Sequence, residues 1–259
     1  MPEGDTIYRA ARVLDRALAG KKVTRFESVF PALLRVDDQA PLRGRTIERA
    51  RAVGKHLLID FSGGLTLRTH MRMNGSWHVY RPGERWQRPR RDMRIVIATD
   101  DAEAVGFTIP VAEFGMSSAT TRLLDELGPD VLTADFDEAE ALRRVRNHDG
   151  EEIANVLLNQ HVIAGIGNIW KSESLFAAKV NPFARTGDLD DATLQRIIRY
   201  ARRLMRRSAT EQRYRFEVYE RAGQLCRKCG ARIEYRKQGA DARGTYWCVR
   251  CQAVRPLGG

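Results

Sequence analysis

Cysteine is absent from the first 225 residues and then occurs four times, as Cys226-x-x-Cys229 and Cys248-x-x-Cys251, with 18 residues between the pairs. Two thiolates separated by two residues can share one metal ion, and two such knuckles at the ends of a hairpin close a tetrahedron. This spacing reads as one zinc site. Four thiolate ligands leave no open position for a catalytic water, so the expected ion is structural. A pair of disulfides is the competing chemistry, but a large soluble chain without a secretory segment belongs in a reducing compartment.

Between the knuckles, Ile233, Tyr235, Tyr246 and Trp247 flank a polar stretch, Lys237 to Gly244, which predicts two strands and a turn. A metal-pinned ribbon carrying Arg232, Arg236, Lys237 and Arg243 fits a DNA groove that admits a two-stranded ribbon; solvated arginines on a surface hairpin are the plainer alternative. Ala164-Gly-Ile-Gly-Asn168 precedes an apolar helical run. Its glycines permit a tight turn, Asn168 can cap the helix, and backbone N–H groups at a helix start can bind phosphate.

The elements that must hold these residues change character along the chain. Ile7, Ala10, Ala11, Leu14 and Leu18 recur at helical spacing over Pro2 to Leu18, with Gly20 as the stop. Short runs follow at 23–26, 56–61, 65–69 and 93–97, separated by Gly63-Gly64, Asn74-Gly75 and Pro82-Gly83, as in an antiparallel sandwich or barrel. Beyond about residue 120 helical periodicity takes over, at 136–146, 152–158 and 169–178 and on the face formed by Leu194, Ile197, Ile198, Ala201, Leu204 and Met205. Arg202, Arg203, Arg206 and Arg207 lie opposite that face and read as a solvated surface.

The 259 residues hold 44 Lys and Arg against 33 Asp and Glu, a net charge of +11. The excess is one-sided: residues 1–140 carry 21 of each sign, whereas 141–259 carry 23 basic and 12 acidic residues. Such a surplus favours an anionic polymer, most simply nucleic acid. There is no run of about 18 apolar residues, and an acidic start at Glu3 and Asp5 does not suit a signal peptide. The expectation is a soluble cytoplasmic, nucleoid-associated monomer with no membrane partner. No dinucleotide fingerprint or nucleotide-binding loop is present, so no organic cofactor is expected beside the zinc.

Met1-Pro-Glu-Gly-Asp-Thr6, Gly54-Lys55-His56-Leu57, His70-Met-Arg-Met-Asn-Gly75, Leu127-Gly-Pro-Asp130 and the run from Ala164 to Ala178 occur in that order ahead of the four cysteines. Together they resemble the formamidopyrimidine-DNA glycosylase and endonuclease VIII family of base-excision repair, closer to the endonuclease VIII branch. The resemblance implies a two-domain α+β fold. An N-terminal helix and antiparallel β-sandwich would form a catalytic domain over 1–118, followed by a linker at 119–133. A helix-two-turn-helix DNA-binding domain would span 134–221 and a zinc-finger hairpin 222–259, with damaged DNA held between the domains.

The resemblance makes Pro2 the nucleophile once Met1 is removed. An α-amine has a pKa near 7.7 to 8.0 against about 10.4 for lysine, so roughly a tenth of it is unprotonated at neutral pH. Only the free amine attacks. Attack on the sugar C1′ of a flipped nucleotide expels the damaged base and leaves an iminium, which permits strand cleavage by β,δ-elimination. Glu3 would help open the sugar and shuttle protons, and it also suits the positive end of a first helix. By the same resemblance Lys55 contacts phosphate beside the lesion and aids catalysis. Asn168 and Arg243 bind phosphate around the flipped nucleotide, and His70 adds a backbone contact. Met73 would fill the gap left by the extruded base, offsetting part of an unstacking cost of a few kcal/mol.

Three departures bear on the lesion. Gly4-Asp5 replaces the Leu-Pro usual in the formamidopyrimidine branch, Val111-Ala-Glu-Phe-Gly115 lacks that branch's basic pair before Phe-Gly, and Ser208–Arg215 is short where that branch has a longer covering loop. All three favour oxidised pyrimidines. The alternatives are the same chemistry on oxidised purines, or a non-catalytic zinc-ribbon protein that binds damaged DNA.

Overall fold

The structure is a computed structural model that describes residues 2–211 and 214–253, apart from the side chains of Thr121 and Leu123. The chain divides into two compact units, Met1–Glu126 and Leu127–Gly259.

The first unit opens with helix α1 (Gly4–Leu18), whose Ile7, Ala11, Leu14 and Leu18 are buried at the expected spacing. The chain leaves it through Gly20, at φ +80°, a left-handed conformation that suits glycine. Two four-stranded antiparallel sheets follow. One has the order β1 (Arg25–Ser28), β6 (Met93–Ala98), β7 (Glu103–Phe107), β5 (Ser76–Tyr80). The other runs β2 (Ile47–Val53), β3 (His56–Phe61), β4 (Leu65–His70), β8 (Val111–Met116).

Strand alternation explains the core. Leu57, Ile59 and Phe61 of β3 share one buried cluster with Leu67 of β4, Ile95 and Ile97 of β6, and the apolar face of α1. Val96, Val105 and Phe107, on the other face of the first sheet, form a smaller cluster closed by Trp86. Asp15 on α1 accepts the Ala50 amide at 2.8 Å, fixing the helix to β2. Helix α2 (Pro31–Gln39) was not visible as a periodic run, since only Leu33 is buried, but proline in its first turn suits a helix start. Val111–Gly115 belongs to β8, where Glu113 pairs with Arg68 at 2.6 Å. Helix α3 (Ser117–Leu124) closes the unit.

The second unit holds α4 (Glu138–Arg146), capped by Asp137 at 2.9 Å, and α5 (Ile153–Val156). The apolar run at 152–158 is thus only partly helical: the amides of Leu158 and Asn159 bond three residues back, tightening the chain into turns. Helix α6 (Asn168–Ala178) ends at Lys179, φ +57°, and α7 (Asp191–Thr210) buries Leu194, Ile197, Ile198, Ala201 and Met205. Of the short 208–215 stretch, Ser208 to Thr210 close α7, and Gln212 and Arg213 lie outside the described residues. Strands β9 (Ile233–Gln238) and β10 (Arg243–Cys248) make the expected antiparallel hairpin, with Arg243 opposite Gln238. Among the described residues no helix is long and apolar enough to cross a membrane.

Candidate functional site

In the first unit, Glu3 sits at the start of α1 and is only 1% exposed, directly after the half-buried Pro2. A carboxylate shielded from water at this point is close in sequence to the α-amine that processing would create. Lys55 lies in the two-residue turn between β2 and β3, where Val53 pairs with His56 and Gly54 takes φ +57°. Glycine at the first turn position is what a tight hairpin of this kind requires.

His70 ends β4, and its Nδ1 accepts the Arg72 amide at 3.0 Å, which leaves Nε2 to carry the proton. The His56 and His70 rings meet edge to face with centroids 5.1 Å apart. Burial, then the His70 ring and the Arg68 guanidinium, push His56 down to about 4. Burial, then Arg72, Lys55 and Arg68, push His70 down to about 4 as well. Both rings are therefore neutral at neutral pH, and His70 is a neutral donor beside cationic Lys55.

Beyond His70 the strand ends, and Met71 to Gly75 form a turn closed by the Gly75 amide on the Met71 carbonyl at 2.9 Å. A side chain on residue 75 would lie 2.6 Å from that carbonyl oxygen, so the turn requires glycine. The two methionines part company here. Met71 is 1% exposed in the core, whereas Met73 is 55% exposed at the tip, because the chain no longer alternates as a strand. At that exposure Met73 is not a core methionine.

In the second unit, Gly167 is the cap of α6 and Asn168 is its first residue; the Asn168 side chain does not cap the helix. Its Nδ2 donates to the Gly244 carbonyl at 2.7 Å, and its Oδ1 accepts from Lys171 Nζ at 2.7 Å. Lys171, 1% exposed, also donates to Thr245 Oγ1 at 2.8 Å. Thr245 in turn donates to Gln238 Oε1, and Gln238 donates to Glu152 Oε2, each at 2.7 Å. This buried relay binds the start of α6 to both strands of the hairpin, one residue from exposed Arg243. Sequence reading missed Lys171, although its i+3 spacing from Asn168 puts both on one helix face.

Glu173, also buried, accepts the backbone amides of Glu217, Val218 and Tyr219 at 2.9 to 3.1 Å. Burial raises its carboxyl pKa, an effect opposed by these three donors. The carboxylate anchors the segment that leads into the finger.

The four cysteine sulfurs lie within 4.8 Å of one another. Cys226 and Cys251 are 3.9 Å apart and Cys229 and Cys248 3.4 Å, near the roughly 3.8 Å edge of a tetrahedron with metal–sulfur bonds of about 2.3 Å. The Lys228 amide points at Cys226 Sγ and the Cys251 amide at Cys248 Sγ, donors suited to thiolates. The Ala231 backbone helps hold the Cys229 thiol down at about 7, while burial pushes Cys248 and Cys251 up. The set can bind a metal ion, and a dication would favour the thiolate form of all four.

A β-sandwich led by a helix, followed along the chain by a helical unit carrying a four-cysteine finger, defines a DNA-glycosylase architecture. The formamidopyrimidine-DNA glycosylase N-terminal domain matches residues 1–110, and the H2TH domain of the same glycosylases matches 127–217. The chain belongs to this formamidopyrimidine-DNA glycosylase and endonuclease VIII family. It is 38% identical to a probable endonuclease 8 2 of Streptomyces coelicolor, over 98% of this chain and 94% of the relative. It is 33% identical to the DNA-(apurinic or apyrimidinic site) lyase Nei2 of Mycolicibacterium smegmatis, over 98% of this chain and the whole of the relative. In fold it matches the Lactococcus lactis formamidopyrimidine-DNA glycosylase crystallised on DNA containing an abasic site. That match has a TM-score of 0.84 and 23% identity, covering 97% of this chain and all of the other.

Proposed function

We propose that this family member, a bifunctional DNA glycosylase and abasic-site lyase of base-excision repair, removes oxidised pyrimidines through a Schiff base on the Pro2 amine. The observation that carries the reading is the buried Glu3 carboxylate beside Pro2 at the head of α1, in a chain matched to the family across both units. After Met1 is removed, the secondary amine attacks C1′ and the C1′–N bond to the base breaks, the base leaving with a proton; the amine then gives up its own proton and the C1′–O4′ bond opens as O4′ takes one, which leaves the iminium at C1′. Loss of a proton from C2′ of the iminium then expels the 3′ phosphate, and a second elimination expels the 5′ phosphate. Glu3 is the proton carrier and Lys55 the cation beside the reacting phosphodiester.

His70 donates from Nε2 to the backbone, Met73 fills the vacated stack, and Arg243 binds phosphate. Asn168 has one amide hydrogen left for phosphate after its bond to Gly244. The ion in the finger is zinc, one per chain. DNA is the partner, a role supported by the abasic-site DNA bound to the Lactococcus lactis protein of the same fold. Gly4-Asp5 and the arginine-free β8 support pyrimidine lesions.

The test is borohydride trapping on matched duplexes carrying an oxidised pyrimidine, an oxidised guanine or an abasic site, with removal of Met1 confirmed by intact mass. An adduct lost in Pro2→Ala, and strongest on the oxidised pyrimidine among the two damaged bases, is the expected result. A stronger adduct on oxidised guanine reverses the lesion assignment. No adduct on any duplex overturns the enzyme reading.

A further inference from the structure

The segment 81–94, which joins β5 to β6 and includes the first two residues of β6, carries six arginines in fourteen residues, at 81, 85, 88, 90, 91 and 94, against two acids, Glu84 and Asp92. This local excess is hidden in the balanced charge of the first 140 residues. The segment is tied down at its middle. Trp86 packs edge to face on Phe107 and donates to Glu103, closing the outer cluster of the first sheet. Arg88 lies beside Asp92 at 3.7 Å and Arg90 beside Glu27 at 3.4 Å, while Arg94 bonds backbone carbonyls at 91 and 93. Arg81, Arg85 and Arg91 are exposed, and among the described residues none of the three has a carboxylate partner.

The segment is also continuous with the Met73 turn. Arg88 Nη1 bonds Ser76 Oγ at 3.1 Å and reaches the Asn74 carbonyl at 3.5 Å, and Thr108 Oγ1 donates to that same carbonyl at 2.7 Å. The Met73 turn and this segment thus belong to one hydrogen-bonded part of the first unit, whose three exposed guanidinium forks have no carboxylate partner among the described residues and suit phosphate oxygens. We propose that Arg81, Arg85 and Arg91 form an auxiliary DNA-backbone surface that grips the duplex outside the lesion. This inference rests on the reading of the chain as a DNA enzyme. It adds affinity without sequence information, since phosphate contacts position a duplex and do not read it.

Each phosphate neutralised contributes about 0.9 to the slope of log binding constant against log salt. The experiment compares the unaltered chain with R81Q/R85Q/R91Q and R81K/R85K/R91K on an undamaged duplex of three turns, roughly 30 base pairs, and on one of about 10. The expected result is a slope smaller by about 2 to 3 for the glutamine variant on the long duplex, little change on the short one, and retention in the lysine variant. Thermal melting of each variant certifies folding, and the single Arg85→Gln replaces the triple change if that melts early.

An unchanged slope on the long duplex in a folded glutamine variant overturns the proposal, whether the surface then serves an acidic protein or only water. Borohydride trapping on an abasic duplex in the same preparations separates the two readings. Trapping with an unchanged slope removes the auxiliary surface alone; a reduced slope without trapping removes the enzyme and leaves the DNA surface.

Discussion

The amide oxygen of Asn168 accepts a hydrogen bond from buried Lys171 at 2.7 Å, so an amine inside the protein fixes which way the first side chain of α6 faces. With the amide nitrogen on the Gly244 carbonyl, the side chain has a single orientation and, among the described residues, one unspent donor. Lys171 also holds Thr245, two residues beyond Arg243, and so ties the helix start to the strand that carries the finger arginine.

Lys171→Met is expected to strip buried Asn168 and Thr245 acceptors of their donor, at a cost of about 1 to 3 kcal/mol for each acceptor left unsatisfied. Hydrogen exchange should show the β10 amides opening sooner, while the sandwich is unchanged. In a double-mutant cycle with Arg243→Gln, read as affinity for abasic-site DNA, the two changes should be coupled by about 0.5 to 3 kcal/mol. Strict additivity would show that Lys171 does nothing for Arg243.

The histidine pair gives the first unit a pH dependence of definite sign. Both folded pKa values are depressed from 6.5 to about 4, so the unfolded chain takes up protons first as pH falls. The contribution is full above about 6.5, declines between 6.5 and 4, and is lost below that. Discounted for partial exposure, it is on the order of 1 to 3 kcal/mol for the pair. Melting of the first unit should show this slope, and His56→Gln should flatten it.

Met73 and Gly75 should separate function from stability. Met73→Ala removes an exposed side chain and should shift stability by less than about 0.5 kcal/mol while weakening binding to a lesion duplex. Gly75→Ala forces a Cβ against the Met71 backbone and should destabilise by roughly 1 to 3 kcal/mol or displace the turn. Equal stability losses in the two variants would contradict the difference in burial between them.

Metal removal should act locally. Elemental analysis is expected to give one zinc per chain, and a strong chelator should release it together with the protection of the β9 and β10 amides. The melting of the first unit should be unmoved by the loss. A chain that retains hairpin protection without metal would show that the relay through Lys171 and Gln238 suffices to hold the finger.

Much of this was legible in the sequence where burial is one-sided. The apolar face of α1, the continuous run of β3 and the stripe on α7 each follow a simple period, and the paired cysteines specify their own geometry. Three features were not legible, for different reasons. Helix α2 buries one leucine and so leaves no stripe. Met73 stands two residues from Met71, a spacing that puts both on one face of a strand, and only the turn closed by Gly75 breaks that alternation. The Lys171 relay joins residues more than seventy positions apart, and in α6 even Lys171, Ser172, Glu173 and Ser174 point into protein, so polarity there does not mark a surface.

That last helix decides how freely the chain can drift. A binding residue on an outer face can be exchanged with little consequence for folding, but Asn168 shares its turn of helix with groups that have no solvent to fall back on. Substitutions in this part of the protein will be filtered by expression yield before they are filtered by repair. Attempts to evolve a new lesion preference should find room on the Met73 turn and the arginine platform, and very little in α6.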